Sequence, residues 1–318
     1  MADNRRERSG RMECKLLNID KFNSWTDYVE ETKIDGIGAI FLVENGVARG
    51  LSTTQLPLEN VSHICRWLEK LANRYPDWDN RFFDGEVLMS GMPQPEAQNV
   101  TSGLVQKLEY DPRSENIHFH IWDTLLSSEY NDRDCELTYL ERKKVLGCLF
   151  DQISGEDNKL LHHVWYIESD NKEEFLVIFN DFISHGNEGV VLKRKDSFYS
   201  YTKCNDWYKY KPFKEGDFKI VNALEGKGRL VGSLGKFKCE GWLQPDGNIS
   251  PVKKNDTDVL IRATPGTGIS DIQRKQYWKE FQEGTLIGKV IEVKHEGITA
   301  YNSLKFAVFM RERKDKNV

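Results

Sequence analysis

Apolar residues recur at helical spacing in three stretches of the chain. Val61, Ile64, Cys65, Leu68 and Leu71 predict a helix over 58–75. Leu140, Val145, Leu146, Leu149 and Ile153 predict a second over 136–154, and Phe175, Ile178, Phe179 and Phe182 a third over 171–185. Short apolar runs between them read as strands at 38–43, 82–89, 117–122 and 189–194. Helices and strands do not alternate one for one, so the pattern predicts an α+β domain built on antiparallel sheet. Past Phe213 the texture changes. Residues 212–216 read as a junction, followed by strand-like runs at 217–224, 229–238, 240–243, 287–295 and 304–310, with one helix at 271–281. About one hundred residues with five short strands and a helix match the size of a partly open barrel of the OB type. The predicted division is 1–214 followed by 215–318.

A length of 318 residues already favours two domains over one core. Hydrophobic residues make up 39% and charged residues 30%, a globular balance. The longest aliphatic stretch, 37–43, is too short to span a bilayer, so no membrane association is expected. The first residues lack an apolar signal core, and 1–14 read as a loose segment or short basic arm. Six scattered cysteines without a C-x-x-C pair argue against a zinc site or disulfide framework and for the reducing cytoplasm.

The net charge of −5 by itself argues against nucleic acid, but the signs are segregated. Lys193, Arg194, Lys195, Lys203, Lys209, Lys211, Lys214 and Lys219 form one basic run. Lys305, Arg311, Arg313, Lys314 and Lys316 form another. A charge run alone most often marks a solvated face.

Four segments carry candidate chemistry. Lys33 precedes the Asp35-Gly36 turn, with Glu31 and Thr32 before it. An exposed lysine beside a turn is the bland reading; a nucleophile is the functional one, since a lysine amine attacks once neutral. Asp84-Gly85-Glu86 brings a carboxylate into a strand, and Glu188-Gly189 feeds an apolar strand ending in Lys193. Lys209 and Lys211 alternate with aromatics, so both project from one strand face, where an anion such as phosphate would join them. His118 and His120 alternate on a strand and carry little as metal ligands.

In this order, with Trp122-Asp123 between, the segments resemble those of the covalent nucleotidyltransferases, the ATP-dependent polynucleotide ligases and mRNA capping enzymes. The resemblance runs from Glu31 to the closing Arg313-Lys314-Asp315-Lys316. Residues 101–107 and 286–299 are similar to the small bacteriophage and algal-virus DNA ligases. With 32 residues before Lys33, the N-terminal DNA-binding domain of larger ligases is not expected.

The resemblance implies a nucleotidyltransferase (adenylation) domain followed by an OB-fold domain. It implies ATP and Mg²⁺ as cofactors, nicked duplex DNA as partner, a monomer with no evident protein partner, and work in the cytoplasm, of a host cell if viral. By that resemblance Lys33 takes AMP, Asp35 orients it or reaches the metal, and Lys209 and Lys211 hold the α-phosphate. Glu188 is assigned to Mg²⁺ and Glu86 to the ribose, with Glu86 a second candidate metal ligand. Trp122 stacks on adenine, Glu31 and Thr32 select the base, Lys193 joins the nucleotide contacts, and Arg313, Asp315 and Lys316 orient pyrophosphate. Two departures stand out: Gly38 and Thr53 occupy positions where the family usually has arginines for the ribose or the nick. Arg49 or Lys107 is the candidate substitute. The alternatives are an RNA ligase, a capping guanylyltransferase using GTP, or a nick-binding protein without catalysis.

Overall fold

The computed structural model describes residues 11–153, 155–299 and 301–316, side chains at 95, 156 and 157 excepted. The expected N-terminal arm therefore lies, up to residue 10, outside the described residues. Two compact units divide between Lys211 and Pro212.

The N-terminal unit contains strands β1 (Glu13–Leu16), β2 (Tyr28–Lys33), β3 (Ile37–Glu44) and β4 (Val47–Ser52), then helix α1 (Ser62–Arg74). Next come β5 (Arg81–Met89), α2 (Gln94–Val105), β6 (Ile117–Leu126), α3 (Ser127–Asp132) and α4 (Tyr139–Asp151). Strands β7 (Leu161–His163) and β8 (Tyr166–Ile167), helix α5 (Lys172–Ser184), β9 (Gly189–Arg194) and β10 (Lys203–Tyr210) complete it. One five-stranded sheet runs β1-β10-β9-β2-β8 and the other β4-β3-β5-β6-β7. All pairings are antiparallel except β1 with β10 and β6 with β7.

Period-two alternation sorts the first sheet into two faces. Tyr28, Val190 and Leu192, with Tyr208 and Tyr210 beside them, pack on Phe175 and Phe179 of α5. The intervening residues, Glu31 and Lys33 on β2, Val191 and Lys193 on β9, Trp207 and Lys209 on β10, face the other way. The register sets Glu31, Val191 and Lys209 side by side across three strands. The second sheet buries Ile40, Phe41, Phe82, Phe83, Phe119 and Ile121, covered by Ile64, Leu68 and Leu71 of α1. Burying a large apolar side chain contributes about 1.5–3 kcal/mol, so this double layer holds the strand ends rigidly.

The three helices form where periodicity predicts them, with trimmed ends. Residues 58–61 stay outside α1 because Asn60 takes φ 57° and Val61 is the cap. Asn171 caps α5 by accepting from the Glu174 N–H at 2.9 Å. Periodicity misses α2, a helix with Pro95 in its first turn and little apolar contrast.

The C-terminal unit has β11 (Lys214–Glu225), β12 (Leu234–Leu243), β13 (Ile249–Ser250), β14 (Val259–Ala263), α6 (Asp271–Gln282), β15 (Val290–His295), β16 (Gly297–Ile298), β17 (Leu304–Lys305) and β18 (Val308–Glu312). Its main sheet runs β13-β12-β11-β15-β18, with β14 also on β12, and a bridge from Thr267 to Val308 draws the far edges together. The expected runs 229–238 and 240–243 are one strand preceded by a 3-10 turn at Gly228–Leu230, and β14 was not expected at all. The 304–310 run is two strands because Phe306 takes φ 52° between them. Phe218, Phe237, Ile261, Ile291 and Phe309 centre the core, with Tyr277 of α6 against it. An α+β unit built on two five-stranded sheets is thus followed by a mainly β unit with one helix.

Candidate active site

The inward face of the first sheet and strands β3, β5 and β6 of the second enclose a cavity of about 330 Å³, the size of a small-molecule site. Glu31, Thr32, Lys33, Glu86, Trp122, Lys193 and Lys209 all line it. Seven of the expected site residues therefore meet around one space. Arg11, Cys14, Gly38, Thr53, Val191 and Trp207 complete much of the wall.

Lys33 ends β2 and pairs with the Glu188 carboxylate, whose other oxygen pairs with Lys211. Burial alone would raise the Glu188 carboxyl, but Lys33 and Lys211 outweigh it and hold the group below the usual carboxylate range. Lys211 lies just past β10, which Pro212 stops by offering no N–H. Glu86 Oε2 accepts the Gly36 N–H at 2.9 Å. A Cβ on Gly36 would fall 2.7 Å from the Val87 carbonyl oxygen, so glycine is required for this close approach. Burial pushes the Glu86 carboxyl up despite Lys33 and Arg11 nearby.

Behind the Trp122 end of the cavity lies a buried ionic layer. Glu31 pairs with Lys143 at 2.5 Å and Lys193 at 2.6 Å and accepts the Tyr139 hydroxyl. Burial would raise Glu31, but the two lysines overcome it and lower it. Arg142 forks onto both oxygens of Asp123 at 2.8 and 2.9 Å, both side chains fully buried. Asp84 accepts the Tyr199 hydroxyl at 2.9 Å and lies 3.4 Å from Arg11 Nε.

Other expected residues stand elsewhere. Asp35 is not on the cavity wall; its N–H donates to Gln94 Oε1 at 3.2 Å. Arg313 and Lys316 belong to the C-terminal unit, where both pair with Asp217, at 2.9 and 2.6 Å, and Arg313 also with Glu292. Of the two candidate substitutes, Arg49 pairs with Glu44 and Lys107 with Asp111, both away from the cavity wall. The basic run from Lys193 is not one solvated face. Lys193 is buried in the cavity, Lys211 serves Glu188, and Arg194 and Lys195 pair with Asp196 and Glu168. His118 and His120 stack with His162, and no group of three or more His, Cys, Asp or Glu among the described residues fits a metal ion.

The pattern had one unused signal for the ionic layer. Arg142 and Lys143 share α4's buried face with Tyr139 and Leu146. Cations on an apolar face demand buried carboxylates. For Arg11 the sequence offered no comparable signal.

Two sheets closing on a strand-end lysine, followed by an OB-like unit, form the domain pair of the polynucleotide-ligase architecture. Residues 15–211 match the ATP dependent DNA ligase domain and residues 225–313 the DNA ligase OB-like domain. The chain belongs to the ATP-dependent DNA ligase family. "DNA ligase 2" of Methanosarcina mazei is 27% identical over 285 residues, covering 82% of this chain and 48% of that protein. A DNA ligase of Methanococcus maripaludis is 26% identical over 320 residues, covering 91% and 53%. The chain thus spans about half the length of the curated relatives it matches. In fold it resembles a solved Lig E DNA ligase (TM-score 0.65, 20% identity, 96% of this chain and 99% of that one). It also resembles the bacteriophage T7 ATP-dependent DNA ligase with ATP (TM-score 0.53, 18% identity, 96% and 98%). Among the described residues no helix is long and apolar enough to cross a membrane.

Proposed function

We propose that this chain seals nicks in duplex DNA by three phosphoryl transfers starting from ATP. Adenine enters against Trp122, with Glu31 and Thr32 at its edge and Lys193 nearby. Lys33 Nζ attacks the α-phosphorus, forming a P–N bond while the bridging P–O bond to the β-phosphate breaks and pyrophosphate leaves. The amine attacks once its proton has passed to solvent, and Glu188, paired with it, holds it in line. Lys209 and Lys211 neutralise charge on the α-phosphate. A 5′-phosphate oxygen then takes the AMP, breaking the P–N bond. Finally a 3′-hydroxyl attacks that 5′-phosphorus and AMP leaves. Arg313, Asp315 and Lys316 serve the pyrophosphate in the first transfer, which obliges Arg313 and Lys316 to exchange Asp217 for phosphate oxygens.

Two hard carboxylates, Glu188 and Glu86, both close enough to feel Lys33, fit Mg²⁺ shared with phosphate oxygens and water. Bound there, Mg²⁺ would supply further neutralisation of the α-phosphate.

One observation carries the reading: the cavity gathers a strand-end lysine, an aromatic shelf and carboxylates on the walls of a family-typical scaffold. Protein loaded with α-labelled ATP is chased with nicked DNA, nicked RNA and hybrid duplexes, with GTP run in parallel. Label passing from protein to nicked DNA, followed by sealing, is expected. Transfer to RNA ends alone, or loading by GTP alone, would replace the reading with an RNA ligase or a capping enzyme.

A further inference from the structure

One cation on the cavity wall, Arg11, has no part in the three transfers proposed above. Arg11 precedes β1 and is 9% exposed. Its Nε lies 3.4 Å from Asp84 Oδ1, its Nη1 donates to the Gly85 carbonyl oxygen at 3.4 Å, and its Cζ lies 4.9 Å from the centre of the Trp122 ring. Across from it β3 carries Gly38. A Cβ built on Gly38 would fall 2.5 Å from Arg11 Nη1 and 2.6 Å from Thr53 Cγ2. With Arg11 and Thr53 placed as they are, a side chain at 38 would displace the guanidinium. The guanidinium fills, from a distant part of the chain, the space that a residue on β3 would otherwise use.

Its location along the cavity sets its ligand. Trp122 marks the base end and Lys33 the α-phosphate end. Gly38 pairs across the ladder with Glu86, a carboxylate near both Lys33 and Arg11, and Arg11 in turn lies over Trp122, so the guanidinium falls between the two ends. What lies between base and α-phosphate in a nucleotide is the sugar. A guanidinium keeps its charge at any working pH and presents rigid N–H donors, suited to hydroxyl oxygens at a fixed height above an aromatic floor.

We propose that Arg11 positions the ribose, donating to the sugar hydroxyls of the bound nucleotide in the place that Gly38 leaves open. This rests on the nucleotide reading of the cavity given above.

The test measures the rate of protein–AMP formation against nucleotide concentration for ATP, 2′-deoxy-ATP and 3′-deoxy-ATP. The proteins are the wild type, Arg11→Lys, and Arg11→Ala combined with Gly38→Arg. Losing a charge-assisted hydrogen bond corresponds to about tenfold or more in half-saturating concentration. The wild type should show that penalty with at least one deoxy analogue. Arg11→Lys should need about tenfold more ATP, with its maximal rate changed far less, and should no longer distinguish that analogue. The double variant should recover both affinity and discrimination, because an arginine at 38 then has the space of the guanidinium, with Thr53 turning its methyl aside. Wild-type use of both analogues as readily as ATP would overturn the proposal without any variant. So would an Arg11→Lys protein that binds and discriminates as the wild type does. Should Arg11→Lys fail to fold, the double variant decides: folded but indifferent to the hydroxyls, it refutes the assignment. A wild type that forms no adduct with ATP is a separate failure, of the nucleotide reading itself.

Discussion

Glu31 should carry a large share of the N-terminal unit's stability, and replacing it with glutamine isolates its charge. The side chain is 1% exposed, with Lys143 and Lys193 within 2.6 Å and the Tyr139 hydroxyl donating to it. Glu31→Gln preserves shape and leaves two buried ammonium groups facing a neutral amide. Removing one partner of a buried ion pair costs about 3–5 kcal/mol. For a unit of roughly 150–250 residues each kcal/mol moves the melting temperature by about 2–4 °C, so Tm should fall by about 6–20 °C. The transition can be followed by tryptophan fluorescence, since Trp78, Trp122 and Trp207 are buried in this unit. Adding Lys143→Met removes one stranded charge and should recover part of the loss, with a coupling above about 1 kcal/mol. The dependence on pH has a definite sign. Burial would raise the Glu31 carboxyl, yet Lys143 and Lys193 hold it lowered. Its contribution is therefore present above the ordinary carboxylate pKa and disappears as pH falls through the folded value. The gap between wild type and Glu31→Gln should close in strong acid. A loss below about 1 kcal/mol at neutral pH, or a gap that widens in acid, would refute the buried-pair reasoning.

Gly36→Ala should force β5 and Glu86 away from the turn, since the new Cβ would meet the Val87 carbonyl oxygen at 2.7 Å; ATP loading of that variant, measured beside a thermal melt, should fall well before its fold is lost. Burial, with His162 beside them, pushes His118 down to about 4 and His120 to about 3. The unfolded chain then binds more protons between those values and the ordinary histidine range, so stability rises with pH across that window and levels above it. Urea midpoints of wild type and His118→Gln from pH 4 to 7 should show a shallower slope for the variant; equal slopes would mean His118 is not held neutral.

Much of the site was legible because strand periodicity and turn residues fix which side chains share a face. Glu31 and Lys33, Lys193, and Lys209 project from one sheet face for the period-two reason that the sequence shows directly. Helices α1, α4 and α5 followed from their apolar stripes. The rest depends on contacts between segments far apart in the chain. Arg11 meets Gly38 and Asp84 only once β1 has docked on β10. Arg49 was the nearer candidate in sequence, yet on the outer strand β4 it turns to Glu44. The short strands β7, β8, β13 and β16 have two or three residues each, too few for any alternation to register. In the C-terminal unit, Phe306 at positive φ split a run that reads as continuous.

The central claim is that Lys33 is the residue that takes AMP. Purified protein is incubated with Mg²⁺ and α-labelled ATP, denatured, digested, and the labelled peptide sequenced by mass spectrometry. The account predicts one acid-labile adduct on the peptide containing Lys33, absent from Lys33→Ala, while that variant melts as a folded protein. A folded Lys33→Ala that still takes up label, or an adduct mapped to any other lysine of the cavity, would contradict it.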